Sequence, residues 1–185
     1  MDDLQAIRRL KRGEIGGLEE LIARYQANAV ETAYLITQDG ALAQDVVQDV
    51  FVRIFQRIRR FDENRSFRPY LMRSVVNAAL DAVEKEAKWV HNIMDEDTGE
   101  LEEMISQAAS VEDQVEFAQL KRGIQKALSH LPARQRAAIV QRYFLEMSEK
   151  EMADALDSAP GTIKWLLNAA RTRLRTLLGS ERSAE

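Results

Sequence analysis

Apolar side chains recur at three- and four-residue spacing almost from end to end of the chain, and no stretch alternates apolar and polar between hairpin turns. The pattern predicts an all-α fold, with no sheet needed for any segment. Laid on a helix at about 100° per residue, ALAQDVVQDVFVRIFQRIRRF places Val46, Val47, Val50, Phe51, Ile54 and Ile58 on one face. Asp45, Gln48, Asp49, Val52, Gln56 and Arg59 fall on the other, so the outer face is polar, partly acidic and carries one valine. RSFRPYLMRSVVNAALDAVEKEAK forms a second amphipathic helix opening near Pro69, where proline suits a first turn. The last third reads as a compact helical unit ending in a helix-turn-helix. One helix runs from Glu149 to Leu156, Asp157 to Ala159 make the turn, and Pro160 opens the final helix with Ser158 as its expected N-cap. With Ile163 at the centre of the buried side, Leu166, Leu167, Ala170, Leu174, Leu177 and Leu178 form its inner stripe. Gly161, Lys164, Trp165, Asn168, Thr172 and Arg175 then face outward, and a helix-turn-helix usually places such a face in a DNA groove.

A formal charge of −4 is unfavourable for a DNA-binding protein until it is divided along the chain. Residues 1–87 are net −1, residues 88–118 net −8 and residues 119–185 net +5. The acid sits in the middle, and the helix-turn-helix part is basic enough to be drawn to phosphates. The middle segment, with DEDTGELEE at its heart, lacks long periodicity and carries an Asp-Thr-Gly turn signal. The expected organisation is therefore a helical domain over 1–88, an acidic linker over 89–116, a helix-turn-helix domain over 117–180 and a tail over 181–185. The linker is either a solvated loop or a set of carboxylates that fills a basic channel until displaced; Asp95, Glu96, Asp97, Glu102 and Glu103 are the candidates.

Several functional classes are disfavoured. No apolar run approaches the ~20 residues that span a bilayer, and MDDLQAIRRLKRGEIGG has no hydrophobic signal core, so a cytoplasmic location is expected. Zero cysteines leave no disulfide frame, thiolate metal site or cysteine switch. His91 and His130 begin no HExxH pattern and read as surface or cap residues. No GxxxxGK[ST], GxSxG or GxGxxG loop occurs, and Gly16-Gly17 is too short to cradle a phosphate. A non-enzyme without metal or cofactor is expected. Arg65, Arg68 and Arg73 lie beside Phe67 and Tyr70. Cations interleaved with aromatics suit single-stranded nucleic acid, because phosphates need charge and unstacked bases need a flat partner. The two aromatics could equally be core.

Taken in order, AQDVVQDVFVRIF, FDENRSFRPYLMRSVVNAALD, an acidic linker, LPARQRAAIVQRYF and SEKEMADALDSAPGTIKWLLNAARTRL resemble the bacterial extracytoplasmic-function sigma factors of RNA polymerase, from about Leu18 to Leu178. The resemblance implies that the helix with Asp45, Gln48, Asp49, Phe51, Val52 and Arg53 docks on the clamp helices of the polymerase β′ subunit. It implies that the stretch from Asn64 to Asp81 reads and melts the −10 promoter element, through Arg65, Phe67, Arg68, Tyr70, Arg73 and Asn77. It further implies that the final helix reads the −35 element through Thr162, Lys164, Trp165, Asn168, Arg171 and Arg175, that another surface of that domain touches the β-flap, and that an anti-sigma factor restrains the protein.

Two departures from the family pattern stand out. Small or basic residues are common where this chain has Trp165, Leu166 and Ala169, and direct readout prefers Arg, Asn, Gln and Lys at base edges. Trp165 could contact thymine methyls, anchor an inhibitory protein or pack on the first domain. After Asp81, where relatives commonly run basic, stand Ala82, Val83, Glu84, Lys85 and Glu86. Fewer phosphates can be neutralised there, so weak promoter binding without polymerase is expected. A sigma-like decoy that sequesters an anti-sigma factor is the second reading. A dimeric helix-turn-helix repressor is the third, disfavoured because the first domain offers no ligand pocket or dimerisation heptads.

Overall fold

In the computed structural model, residues 2–93 and 123–182 are described, with side chains over 2–88 and 123–177. Every regular element among them is helical, and no strand occurs among the described residues. The N-terminal unit comprises α1 (Asp3–Lys11), α2 (Gly16–Thr37), α3 (Gly40–Arg57), a short 3₁₀ turn (Ile58–Arg60) and α4 (Phe67–Ile93). The C-terminal unit comprises α5 (residues 123–129), α6 (Ala133–Ile139), a π turn (Val140–Phe144), α7 (Glu149–Ala155) and α8 (Pro160–Arg182). The backbone of α4 runs five residues into the segment expected to be linker; the rest of that segment, its carboxylates included, lies outside the described residues.

α2 is the axis of the N-terminal unit and packs against α1, α3 and α4. The six residues expected on the inner face of α3 are all buried. At about 1.5–3 kcal/mol for each such side chain, their burial outweighs most local preferences before chain entropy is counted. Between α2 and α3 the chain reverses abruptly. Gln38 takes a left-handed backbone (φ 62°), and the Asp39 carboxylate accepts the Leu42 N–H at 2.9 Å to cap α3. At the other end of α2, a Cβ on Gly17 would stand 2.3 Å from the Ala6 carbonyl oxygen. The Gly16-Gly17 pair therefore serves helix packing: glycine lets α1 and α2 touch backbone to backbone.

In the C-terminal unit α8 packs on α6 and α7 through Ile163, Leu166, Leu167 and Ala170. The Ser148–Glu151 capping box fixes the start of α7, with the Ser148 N–H donating to the Glu151 carboxylate at 2.8 Å. That bond and the Ser148 hydroxyl hold the Glu151 carboxyl below its usual pKa. Asp157, at φ 46°, makes the turn into α8. Ser158 does not cap α8: its hydroxyl donates back to the Leu156 carbonyl at 3.0 Å, and the first helical N–H groups reach the Ala159 carbonyl instead. The helix opens at Pro160, which puts Ala159 rather than Ser158 in the capping position.

The two units pack on each other, α6 against α2 and α4 and the π turn against α2. Arg136, Ala137, Ala138, Ile139, Val140 and Gln141 are consecutive and all buried, which requires cover on every side of the helix. Among these residues the Arg136 Nε and both amide atoms of Gln141 have no hydrogen-bond partner. Burial pushes the Arg136 guanidinium below its ordinary pKa, and each unpaired buried polar group costs about 1–3 kcal/mol.

Candidate nucleic-acid interface

Three outward surfaces hold the residues singled out from the sequence. On α3, Asp45, Gln48, Asp49, Val52 and Arg53 are exposed, together with Gln56. Phe51 is not among them: it is 5% exposed and belongs to the core. The apolar part of this face comes instead from Val52 (47% exposed), which the helical repeat places outward, and from Phe55 (40%), which sequence reasoning missed. Phe55 lies one turn beyond Phe51, about 40° around the helix, so the inner stripe is wide enough to emerge at the surface there. Beside it, a shallow groove between α2 and α3 runs past Ile22, Gln26, Gln48 and Val52.

The second surface is the start of α4 and the loop before it. Asp62 organises that loop: its carboxylate accepts the Asn64 N–H at 3.0 Å, and its carbonyl accepts the Arg65 N–H at 3.1 Å. Glu63 ties the loop to α1 through Arg8 Nε (2.8 Å) and Lys11 Nζ (2.9 Å), and Lys11 also donates to the Phe61 carbonyl at 2.7 Å. Those two cations hold the Glu63 carboxyl below its usual value. Phe67, expected among the DNA contacts, is 1% exposed and packs at 5.7–6.3 Å between ring centroids from Tyr25, Phe61 and Tyr70. It is a core residue because the chain enters α4 there, two residues before Pro69, with the ring turned toward α2. Tyr70 is half-buried on the edge of this cluster, 5.0 Å from Phe61 between centroids. Arg65, Arg68 and Arg73 remain outward, Arg65 being 3.8 Å from Asp62, and Asn77 is half-buried.

These α4 residues do not face open solvent on every side. Arg65, Arg68, Tyr70 and Arg73 line one wall of a cavity of about 430 Å³ whose opposite wall is Leu145, Glu146, Met147, Glu151 and Asp154 of the C-terminal unit. Arg73 and Asn77 line a second, of about 250 Å³, against Arg134 and the Ala155–Asp157 turn.

The third surface is the outer side of α8, where Thr162, Lys164, Trp165, Asn168, Thr172 and Arg175 are all exposed. Trp165 is 63% exposed and borders a shallow hollow with Gln135, Asn168 and Arg173, so it does not pack on the first domain. Arg171 is drawn aside: its Nε donates to the Tyr143 hydroxyl at 3.1 Å and its guanidinium stands 5.9 Å from the centroid of that ring. No cluster of His, Asp or Glu able to hold a metal occurs among the described residues, nor any helix long and apolar enough to cross a membrane.

Comparison with known proteins gives these surfaces a common context. The family model for sigma-70 region 2 matches residues 21–89, and that for sigma-70 region 4 matches residues 121–174. The ECF RNA polymerase sigma factor SigW of Bacillus subtilis is 26% identical over 178 residues, covering 93% of this chain and 94% of its own. SigM of Mycobacterium tuberculosis, also an ECF RNA polymerase sigma factor, is 30% identical over 167 residues, covering 90% of this chain and 80% of its own. The solved structure of the sigma factor RpoE with the anti-sigma factor NepR from Bartonella quintana superposes with a TM-score of 0.65. It spans 87% of this chain and 96% of that one at 22% identity, which marks a shared fold. With both regions in order along one helical chain and a relative of this identity across its length, the chain belongs to the ECF sigma factors of RNA polymerase.

Proposed function

We propose that the chain binds the β′ clamp helices of core polymerase through Asp45, Gln48, Asp49, Val52 and Arg53 on α3, with Phe55 as an added apolar contact. It reads the non-template strand of the −10 element with Arg65, Arg68, Tyr70, Arg73 and Asn77, and the −35 element with Thr162, Lys164, Trp165, Asn168, Arg171 and Arg175. The domain roles follow residues 1–88 and 117–180, and the protein acts in the cytoplasm, where polymerase and promoters meet. Promoter opening needs no catalytic group, because a base taken from the stack costs a few kcal/mol that stacking and hydrogen bonds to the extruded base offset. An anti-sigma factor that covers the polymerase-facing surfaces restrains it.

The observation that carries this reading is the placement of Val52 and Phe55 together, exposed amid the carboxylates of α3. A solvated helix has no use for two neighbouring large apolar side chains, whereas a helix-docking face does. The test is multi-round transcription by purified core polymerase plus this protein on fragmented source DNA, with sequencing of the 5′ ends. Discrete starts that share an upstream pair of elements are expected. No starts, despite co-elution with polymerase or with an anti-sigma domain, would overturn it in favour of the decoy.

A further inference from the structure

Residues 1–87 are net −1, yet their charge is unevenly placed. The second half of α1 and the residue after it supply Arg8, Arg9, Lys11 and Arg12, and the end of α3 with its 3₁₀ turn supplies Arg57, Arg59 and Arg60. α1 packs against that turn, so the two groups are neighbours on one ridge. Two carboxylates stand among them: Glu14, with Arg9 at 3.0 Å and Arg12 at 2.7 Å, and Glu63, with Arg8 and Lys11. Each is gripped by two cations, which hold both carboxyls below their usual pKa. Seven cations against two carboxylates leave the ridge an excess of five positive charges. The guanidinium groups of Arg57, Arg59 and Arg60 are exposed, with no ion-pair or hydrogen-bond partner among the described residues. In a 3₁₀ turn residues three apart lie over one another, which sets Arg57 and Arg60 on one side while Ile58 is buried. Helices α1 and α3 both end here, and a helix C-terminus favours a cation in its last turn. That preference explains one cation at each end, not an excess of five.

The ridge is continuous with the loop before α4. Lys11 holds the Phe61 carbonyl, and Lys11 and Arg8 hold Glu63, so the ridge and the loop that presents Arg65 form one surface. We infer that the ridge carries the phosphates of the non-template strand where that strand continues beyond the −10 element, with Arg57, Arg59 and Arg60 as the principal contacts and Arg8 and Arg12 beside them. The inference rests on the reading of this loop and the start of α4 as the −10 surface. The ridge supplies charge that the stretch after Asp81 lacks, and its α1 half lies outside the residues matched to sigma-70 region 2. Guanidinium forks match phosphate oxygens, and contacts of this kind hold a strand without reading its sequence.

Fluorescence anisotropy on the full chain tests this with labelled single strands: one confined to the −10 element of a promoter mapped by transcription, the same strand extended at its 5′ or its 3′ end, and oligo(dT), which carries no element. On one of the extended strands the slope of log affinity against log salt should be steeper than on the confined strand by about 2, at ~0.7 for each of three arginines. The Arg57→Gln/Arg59→Gln/Arg60→Gln variant, at exposed positions, should lose that increment and flatten the slope on oligo(dT) equally, while binding the confined strand as wild type does. Arg57→Lys/Arg59→Lys/Arg60→Lys retains the charge and should retain the increment, which separates charge from any effect on folding. No increment on either extension, or an increment that the glutamine variant retains, would overturn the proposal. So would unchanged slopes joined to a loss of co-elution with core polymerase, which would give the ridge a protein partner. A confined strand bound no more tightly than a scrambled one would remove the −10 reading instead, and the oligo(dT) slopes would still judge the ridge.

Discussion

Gly17→Ala tests whether backbone contact between α1 and α2 supports the loop before α4, proposed above to read the −10 element. The added methyl would stand 2.3 Å from the Ala6 carbonyl oxygen, 2.9 Å from the Leu10 nitrogen and 3.2 Å from the Leu10 Cβ. Ordinary carbon–oxygen contacts begin near about 3.3 Å, so α1 must retreat by about 1 Å. The obstructing oxygen is backbone, and no rotamer change relieves it. Overpacking of this kind costs about 1–3 kcal/mol. The ceiling is set by losing the burial of Ile7 and Leu10 altogether, about 1.5–3 kcal/mol each. At about 2–4 °C per kcal/mol for a chain of this size, melting should fall by about 2–12 °C in a calorimetric scan. Gly40→Ala is the control, since nothing lies within 4 Å of its added methyl, and it should melt no lower than wild type. The displacement should also loosen Lys11 and Arg8 from Glu63, and hence the loop that presents Arg65. A Gly17→Ala protein that melts at or above wild type would refute the reasoning.

Val52→Glu with Phe55→Ser should reduce co-elution with core polymerase at least about tenfold, as expected when a central apolar contact is lost, while leaving melting nearly unchanged; equal polymerase binding would remove α3 from the interface. Trp165→Ala should leave stability within about 0.5 kcal/mol, because the ring is exposed. It should weaken −35 duplex binding about tenfold, or about 1.4 kcal/mol, and unchanged DNA affinity would assign the ring to a protein partner. The Glu63 clamp gives a pH signature: with the folded carboxyl held below 4.5 by Arg8 and Lys11, its stabilisation is complete above that value and fades as pH falls through the lowered folded pKa. Glu63→Gln should therefore melt lower than wild type at neutral pH, and the gap should close as the solution is acidified below about pH 4.5.

What the sequence made legible was periodic. Along α3 and the 3₁₀ turn that follows it, all six inward and all six outward positions are as the 100° repeat places them, because which side of an amphipathic helix is buried follows from spacing. The outward set on α8 follows for the same reason. The failures occur where a residue type serves two environments equally well. An aromatic among arginines reads alike as a base platform or as core; the structure makes Phe67 core and leaves Tyr70 at its margin. Phe55 sits where an apolar stripe leaves the core, a place periodicity does not resolve. Ser158 suits an N-cap by residue type but stands one residue too early, since the helix opens at Pro160 and Ala159 holds the cap position. The ties from Lys11 to Glu63 and the facing of Glu146 onto Arg68 join residues tens of positions apart, and no local pattern encodes them.

The stretch after Asp81 sets a limit that salt can read. Its Lys85 stands between Glu84 and Glu86, so few phosphates are neutralised there and binding of a strand confined to the −10 element rests on the arginines at the start of α4. If Arg65, Arg68 and Arg73 meet phosphates, the slope of log affinity against log salt on such single-stranded DNA should be about −2, at ~0.7 per contact. Arg68→Ala should then bring it to about −1.4. A much steeper slope would mean that basic groups elsewhere carry the strand, and a slope that Arg68→Ala leaves unchanged would remove that arginine from the −10 surface.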